Sequence, residues 1–190
     1  MMFQVLLKMT FQVIDKVQLY EKSKCHEFDD IIEIELYKLF IELCHNLGVT
    51  YMSYTFDYMN KIRYSFRSDP LWAKTYDNEK YNGLPLIEQC PLDIFSRQSK
   101  NLILVWDDFV SREQPRVYRE IMGMRTDIGL CHGITLSTYF GKHHDAIAVA
   151  SEEYRDNLAM RILLNNKKNV LTKFLLSCRK KIITHYLMGE

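Results

Sequence analysis

Residues that keep a chain loose are scarce here: 7 glycines and 4 prolines among 190 residues, with no Ser/Gly or Gln/Asn tract, exclude collagen, linker and low-complexity character. Excess charge is lacking too. With 25 Lys and Arg against 24 Asp and Glu, no global attraction draws the chain to nucleic acid or anionic lipid, so any such contact needs a local patch. Long apolar runs are also missing. The apolar start, residues 1–17, is broken by Gln4, Lys8, Thr10, Gln12, Asp15 and Lys16, which neither a signal-peptide core nor a membrane span tolerates, so a cytoplasmic product without a membrane partner is expected. Cys25, Cys44, Cys90, Cys131 and Cys178 are odd in number, widely spaced and set among apolar neighbours, which does not make a disulfide framework.

The common catalytic templates are absent as well. There is no Gly-rich phosphate loop, dinucleotide fingerprint, Gly-x-Ser-x-Gly elbow or His-Glu-x-x-His helix. Cys25-His26, Cys44-His45, Cys131-His132 and the run His143-His144-Asp145 invite a metal or thiol-nucleophile reading. Adjacent residues on a helix or strand point in different directions, however, so one dipeptide does not offer both side chains to one ion. No nucleophile–base–orienter set is visible, and neither an enzyme, a metal site nor a cofactor is expected. These pairs read as small buried thiols beside surface imidazoles.

What is present is a rich core. A 47% hydrophobic share suffices for one compact domain. Apolar residues at three- and four-residue steps predict helices over 3–20 and 28–47, the second stopped by Gly48. Aromatic and β-branched runs over 49–56 and 62–66 predict a hairpin. Asp69-Pro70 then starts a short helix closed by Gly83. Residues 85–99 read as a helical or turn-rich excursion, 102–106 as a buried strand, and 114–128 as a helix ended by Gly129. A second hairpin over 131–140 and 146–150 follows. Residues 152–187 predict one long helix, or two joined near Asn165-Asn166. This order places helices on both faces of a mainly antiparallel sheet, an α/β fold of the αβα sandwich type.

Two features bear on function. The tail from Arg155 to Lys181 is basic with Asp156 as its one acid, which suits a solvated face, a dimerisation helix or, least well, direct DNA contact. Tyr51, Tyr54, Phe56, Tyr58, Tyr64, Phe66, Trp72, Tyr76, Tyr81 and Trp106 give a sheet face and its covering helix many rings with polar tips. Such a lining encloses an apolar ligand and orients its polar end, and it equally suits an ordinary aromatic core.

Trp72, Tyr76, Tyr81, Pro85, Trp106 within Val-Trp-Asp-Asp-Phe, and Gly129-Leu-Cys-His-Gly133-Ile-Thr135 together resemble, over about residues 30–160, the autoinducer-binding domain of LuxR-type quorum-sensing transcription factors. The resemblance implies a cytoplasmic αβα sensor domain over 1–165, with 166–190 as a C-terminal helix or linker towards a helix-turn-helix DNA-binding domain beyond Glu190. It also implies a homodimer and a small amphiphilic signal, such as an acyl-homoserine lactone, held between sheet and helices. Trp106 would meet the lactone carbonyl and Tyr76 would line the acyl channel. The candidate ligand-binding set is Tyr64, Ser68, Trp72, Tyr76, Leu84, Trp106 and Thr135.

The departures are informative. Leu84 stands where the family's aspartate accepts the ligand amide N–H, and a buried amide donor left unpaired costs about 1–3 kcal/mol, roughly tenfold to a hundredfold in affinity. Ser68 replaces a tyrosine that reaches the acyl carbonyl, Glu88 is a conceivable substitute acceptor, and the stretch between Pro85 and Trp106 is longer than in typical members. The signal expected is therefore other than a standard acyl-homoserine lactone. The alternative is a ligand-independent dimerising or inhibitory partner.

Overall fold

In the computed structural model of the chain, residues 25–58, 62–78, 101–109, 116–140, 143–151 and 157–186 are described. Strand β1 (Cys25–Glu27) leads into helix α1 (Asp30–Leu47), followed by β2 (Tyr51–Tyr58), β3 (Ile62–Arg67), α2 (Pro70–Asn78), β4 (Asn101–Val105), a 3-10 turn (Trp106–Phe109), α3 (Arg116–Asp127), β5 (Gly133–Phe140), β6 (His143–Ala150) and α4 (Asn157–Tyr186). The helix anticipated over 3–20, the close at Gly83 and the excursion over 85–99 lie outside the described residues.

Local chemistry sets the helix ends. Asp29 caps α1 by accepting the Ile32 N–H at 3.0 Å, Asp30 and Glu33 face the positive end of the helix dipole, and Gly48 closes it in the left-handed conformation at φ 68°. Asp69 caps α2 in the same way, accepting the Trp72 N–H at 3.0 Å beside Pro70. Gly129, at φ 81°, turns the chain out of α3.

Among the described residues six strands run in the order β1-β3-β2-β6-β5-β4, and every pairing is antiparallel except β1 with β3. The predicted αβα sandwich with a mainly antiparallel sheet is the observed architecture. Strand β1 departs from expectation, because residues 21–27 read as a polar break and three residues are too few to show a period.

Alternation along the strands sends successive side chains to opposite faces. On one face Met52, Tyr54, Phe56, Phe66, Ile134, Leu136, Ile147 and Val149 pack under α1 and α4 in the larger core. On the other, Tyr51, Leu104, Ala148 and Ala150 pack against Trp72 of α2 and Ile121 and Met122 of α3. Over the described part of residues 152–187 the structure shows one helix, unbroken for 30 residues, rather than two joined near Asn165-Asn166. Leu171, Phe174, Leu175, Cys178 and Ile182 from its second half sit in the larger core.

One ion pair fixes α4 to the sheet. Asp145, with no exposed surface, accepts from Tyr54 Oη (3.2 Å), Thr138 Oγ1 (2.8 Å), and Arg179 Nε and Nη2 (2.9 and 2.7 Å). Arg179 also lies 3.9 Å over the Phe140 ring, so this member of the basic tail points inward rather than to solvent. Among the described residues no helix is long and apolar enough to cross a membrane. Replacing Arg179 by Met strands a buried carboxylate, and the unfolding free energy read from urea titration is expected to fall by about 3–5 kcal/mol. Adding Asp145→Leu to that variant should recover most of the loss.

Candidate functional site

The face under α2 and α3 is unlike an ordinary core. Its strand positions carry Ser53, Thr55 and Asp57 on β2, Arg63 and Ser65 on β3, Thr135 and Ser137 on β5, and His144, Ala146 and Ala148 on β6, all buried. Small and hydroxyl-bearing side chains thus form a floor in the middle, where branched or aromatic residues would fill space. Thr55 Oγ1 is buried there without a hydrogen-bond partner.

At one end the floor meets two indoles. Trp106, fully buried, donates its ring N–H to Thr135 Oγ1 at 2.9 Å. Gly133 makes this approach possible, since a Cβ there would come within 2.5 Å of the Trp106 ring. Trp72, buried as well, reaches the same cluster from α2. The Arg125 guanidinium lies 4.1 Å over the Trp106 ring and 5.7 Å from the Trp72 ring. Its Nε and Nη1 are buried and bond to nothing.

At the other end lies a charged network drawn from four strands. Arg63 donates to both oxygens of Asp57, at 2.7 and 2.8 Å. The His144 ring bonds through Nδ1 to Asp57 Oδ2 at 2.9 Å and through Nε2 to Ser137 Oγ at 2.7 Å. An ionised carboxylate only accepts, so the Nδ1 facing Asp57 carries a proton. Burial pushes the Asp57 carboxyl up, but the Arg63 guanidinium and the His144 ring outweigh it and hold the group at about 2.

The connectivity Ser137–His144–Asp57 repeats that of acyl-transfer triads, and sequence reading missed it because its members come from three strands. Two features weaken the comparison. Arg63 draws on the charge that would stabilise an imidazolium. The backbone N–H groups around Ser137 are engaged in ladders with β4 and β6, leaving no free pair to receive an oxyanion.

The sequence-derived set is only partly assembled. Trp72, Trp106 and Thr135 come together. The Trp106 N–H expected to meet a ligand carbonyl donates to Thr135 Oγ1. Tyr64 is on the opposite face, stacked between Phe28 (5.3 Å) and Tyr186 (5.1 Å), because its register partner Phe56 belongs to the larger core. Ser68 closes the strand end, accepting the Met52 N–H at 2.9 Å. Tyr76 lies on α2 with its side chain outside the described residues, as is all of Leu84, Tyr81, Pro85 and Glu88. The single aromatic lining is likewise divided, with Tyr54, Phe56 and Phe66 on the far side of the sheet from Tyr51.

His144 and Asp145 point to opposite faces, and His144 is buried rather than a surface imidazole. A cleft of about 410 Å³ beside α3 is bordered by Asp107, Arg119, Gly123, Thr126, Cys131 and His132. His132 bonds Asp107 at 2.7 Å, whereas the Cys131 thiol turns to the Thr126 carbonyl, so thiol and imidazole are engaged separately. Among the described residues no group of three His, Cys, Asp or Glu side chains gathers to hold a metal ion. Arg125, Asp57, Arg63 and Ser137 were not singled out from sequence. The hydroxyls at every second position of β2 and β5 were the available signal.

No protein-family profile and no curated protein matches the sequence. Solved structures do match the fold. SdiA in complex with octanoyl-rac-glycerol superposes with a TM-score of 0.56 at 11% identity, covering 93% of this chain and 67% of that one. A second structure of Escherichia coli SdiA gives 0.53 at 13% identity, covering 97% and 71%. The N-acylhomoserine-lactone-dependent LuxR-family factor CepR2 of Burkholderia cenocepacia gives 0.48 at 9% identity, covering 79% and 97%. The chain has the fold of the LuxR-type autoinducer-binding domain.

The depressed Asp57 carboxyl makes stability depend on pH. Its contribution is complete above its ordinary value of 3.8 and is lost as the pH falls through about 2. Asp57→Asn is expected to lower stability at pH 7 by about 2 kcal/mol and to flatten the decline between about pH 4 and about pH 2. Urea midpoints at several pH values measure both.

Proposed function

We propose that this chain is the ligand-sensing and dimerisation domain of a LuxR-type transcriptional regulator, acting in the cytoplasm and binding a small amphiphilic signal between its sheet and the α2–α3 layer. The observation that carries the proposal is the buried floor of small and hydroxyl side chains, closed at one end by Trp72 and Trp106. An acyl chain would lie over Ala146, Ala148 and Thr55, and its polar end would stand at the indoles. The domain performs no catalysis in this reading. Binding to the folded state alone stabilises it by mass action, and so favours dimerisation and, through a domain outside this chain, DNA binding.

Leu84 in place of an acceptor for an amide favours signals without that amide. Octanoyl-rac-glycerol, the ligand named for SdiA, has an ester and hydroxyls there instead. Thermal unfolding with 1-octanoyl-rac-glycerol and with octanoyl-homoserine lactone tests this. At a hundredfold excess over Kd the expected stabilisation is about 2.7 kcal/mol, a rise in Tm on the order of 5–10 °C, reached at lower concentration with the glycerol ester. The absence of a shift with any neutral or charged acyl amphiphile would overturn the reading.

A ligand-independent dimerising partner is the second reading, and one observation favours it. Ile31, Ile34, Tyr37 and Ile41 form an exposed apolar stripe along α1. In that case light scattering shows a dimer with no ligand present, and Ile34→Glu dissociates it.

A further inference from the structure

We infer that the signal bound at the indole end carries a carboxylate, and that Arg125 is the residue that receives it. The inference deepens the binding reading above and rests on it.

Arg125 is 7% exposed, yet its Nε and Nη1 are cut off from solvent without an acceptor. No carboxylate among the described residues pairs with it. Asp107, which follows Trp106 directly, bonds His132 through Oδ1, and its buried Oδ2 has no hydrogen-bond partner. The other inward-pointing cations are fully paired: Arg63 with Asp57, and Arg179 with Asp145. Among the described residues, Arg125 is therefore a buried arginine without the carboxylate partner that Arg63 and Arg179 have.

The indole faces of Trp106 and Trp72 attract the cation but accept no hydrogen bonds, so they replace only part of the water that Arg125 loses. A neutral carbonyl would accept one N–H and leave the charge. A carboxylate supplies both the acceptors and the opposite charge, in planar geometry suited to a guanidinium. Trp106 is held in place by Thr135 and Gly133, which fixes the platform on which the guanidinium rests. The ligand class indicated is an acyl chain ending in a carboxylate.

A matched pair of probes separates charge from chain: N-dodecanoyl-homoserine, the ring-opened acid, and N-dodecanoyl-homoserine lactone, its neutral counterpart. Titration calorimetry at neutral pH is expected to show the acid binding on the order of 10- to 100-fold more tightly. In Arg125→Gln that preference should disappear through weaker binding of the acid, with lactone affinity little changed. Arg125→Lys, which keeps the charge, should retain part of it. Equal or tighter binding of the lactone by the unmodified protein overturns this inference while leaving the pocket intact. An acid preference that survives in Arg125→Gln overturns it equally. Binding of neither probe, nor of octanoyl-glycerol, overturns the pocket reading itself and this inference with it.

Discussion

The fold depends on a carboxylate that water does not reach. Asp145 lies in the fourth of six sheet positions, counted from β1, beneath the long C-terminal helix, and it is tolerated there because Tyr54, Thr138 and Arg179 surround it with donors. A buried ion pair of this sort adds little net stability over a hydrophobic replacement, but it permits few alternative arrangements. Helix α4 cannot slide or rotate on the sheet without stranding both charges. Its far end is held as well: Tyr186 stacks on Tyr64 and its hydroxyl accepts the Asp29 N–H.

With one face locked in this way, the other is free to be different. The α1–α4 face is filled by aromatic and branched side chains and needs nothing more. The α2–α3 face combines hydroxyls, alanines, two indoles and three ionisable groups drawn from β2, β3 and β6. Such a surface gains little from collapsing on itself, because small side chains bury little apolar area and the unmet Thr55 hydroxyl opposes it. It suits a guest with an apolar body and a polar end. The division of labour between a finished face and an accepting face connects the packing to the proposed sensing role.

Much of this architecture could be read from the chain. Gly48, Asp69-Pro70 and Gly129 mark helix ends through capping chemistry that acts within a few residues, and the structure places the ends there. The two hairpins followed from runs of aromatic and β-branched residues. What could not be read depends on contacts between distant segments. Strand β1 exists only through its pairing with β3. Tyr64 faces away from the indoles because of its register against Phe56, and Tyr51 and Tyr54, three residues apart, necessarily part company on a strand. Arg125 looked like an ordinary basic residue in the last turn of α3, and Arg179 like one of many in a basic tail. Their burial is decided by the indoles and by Asp145, far from them in sequence.

Strand β6 has a further consequence. His144 and Asp145 are neighbours that serve unrelated networks on opposite faces, one with Asp57 and Ser137, the other with Arg179 and Tyr54. Substitutions can accumulate one at a time around them, but inserting or deleting a single codon within the strand would exchange the two side chains and break both networks together. The coding sequence at this point thus admits change in composition but not in length.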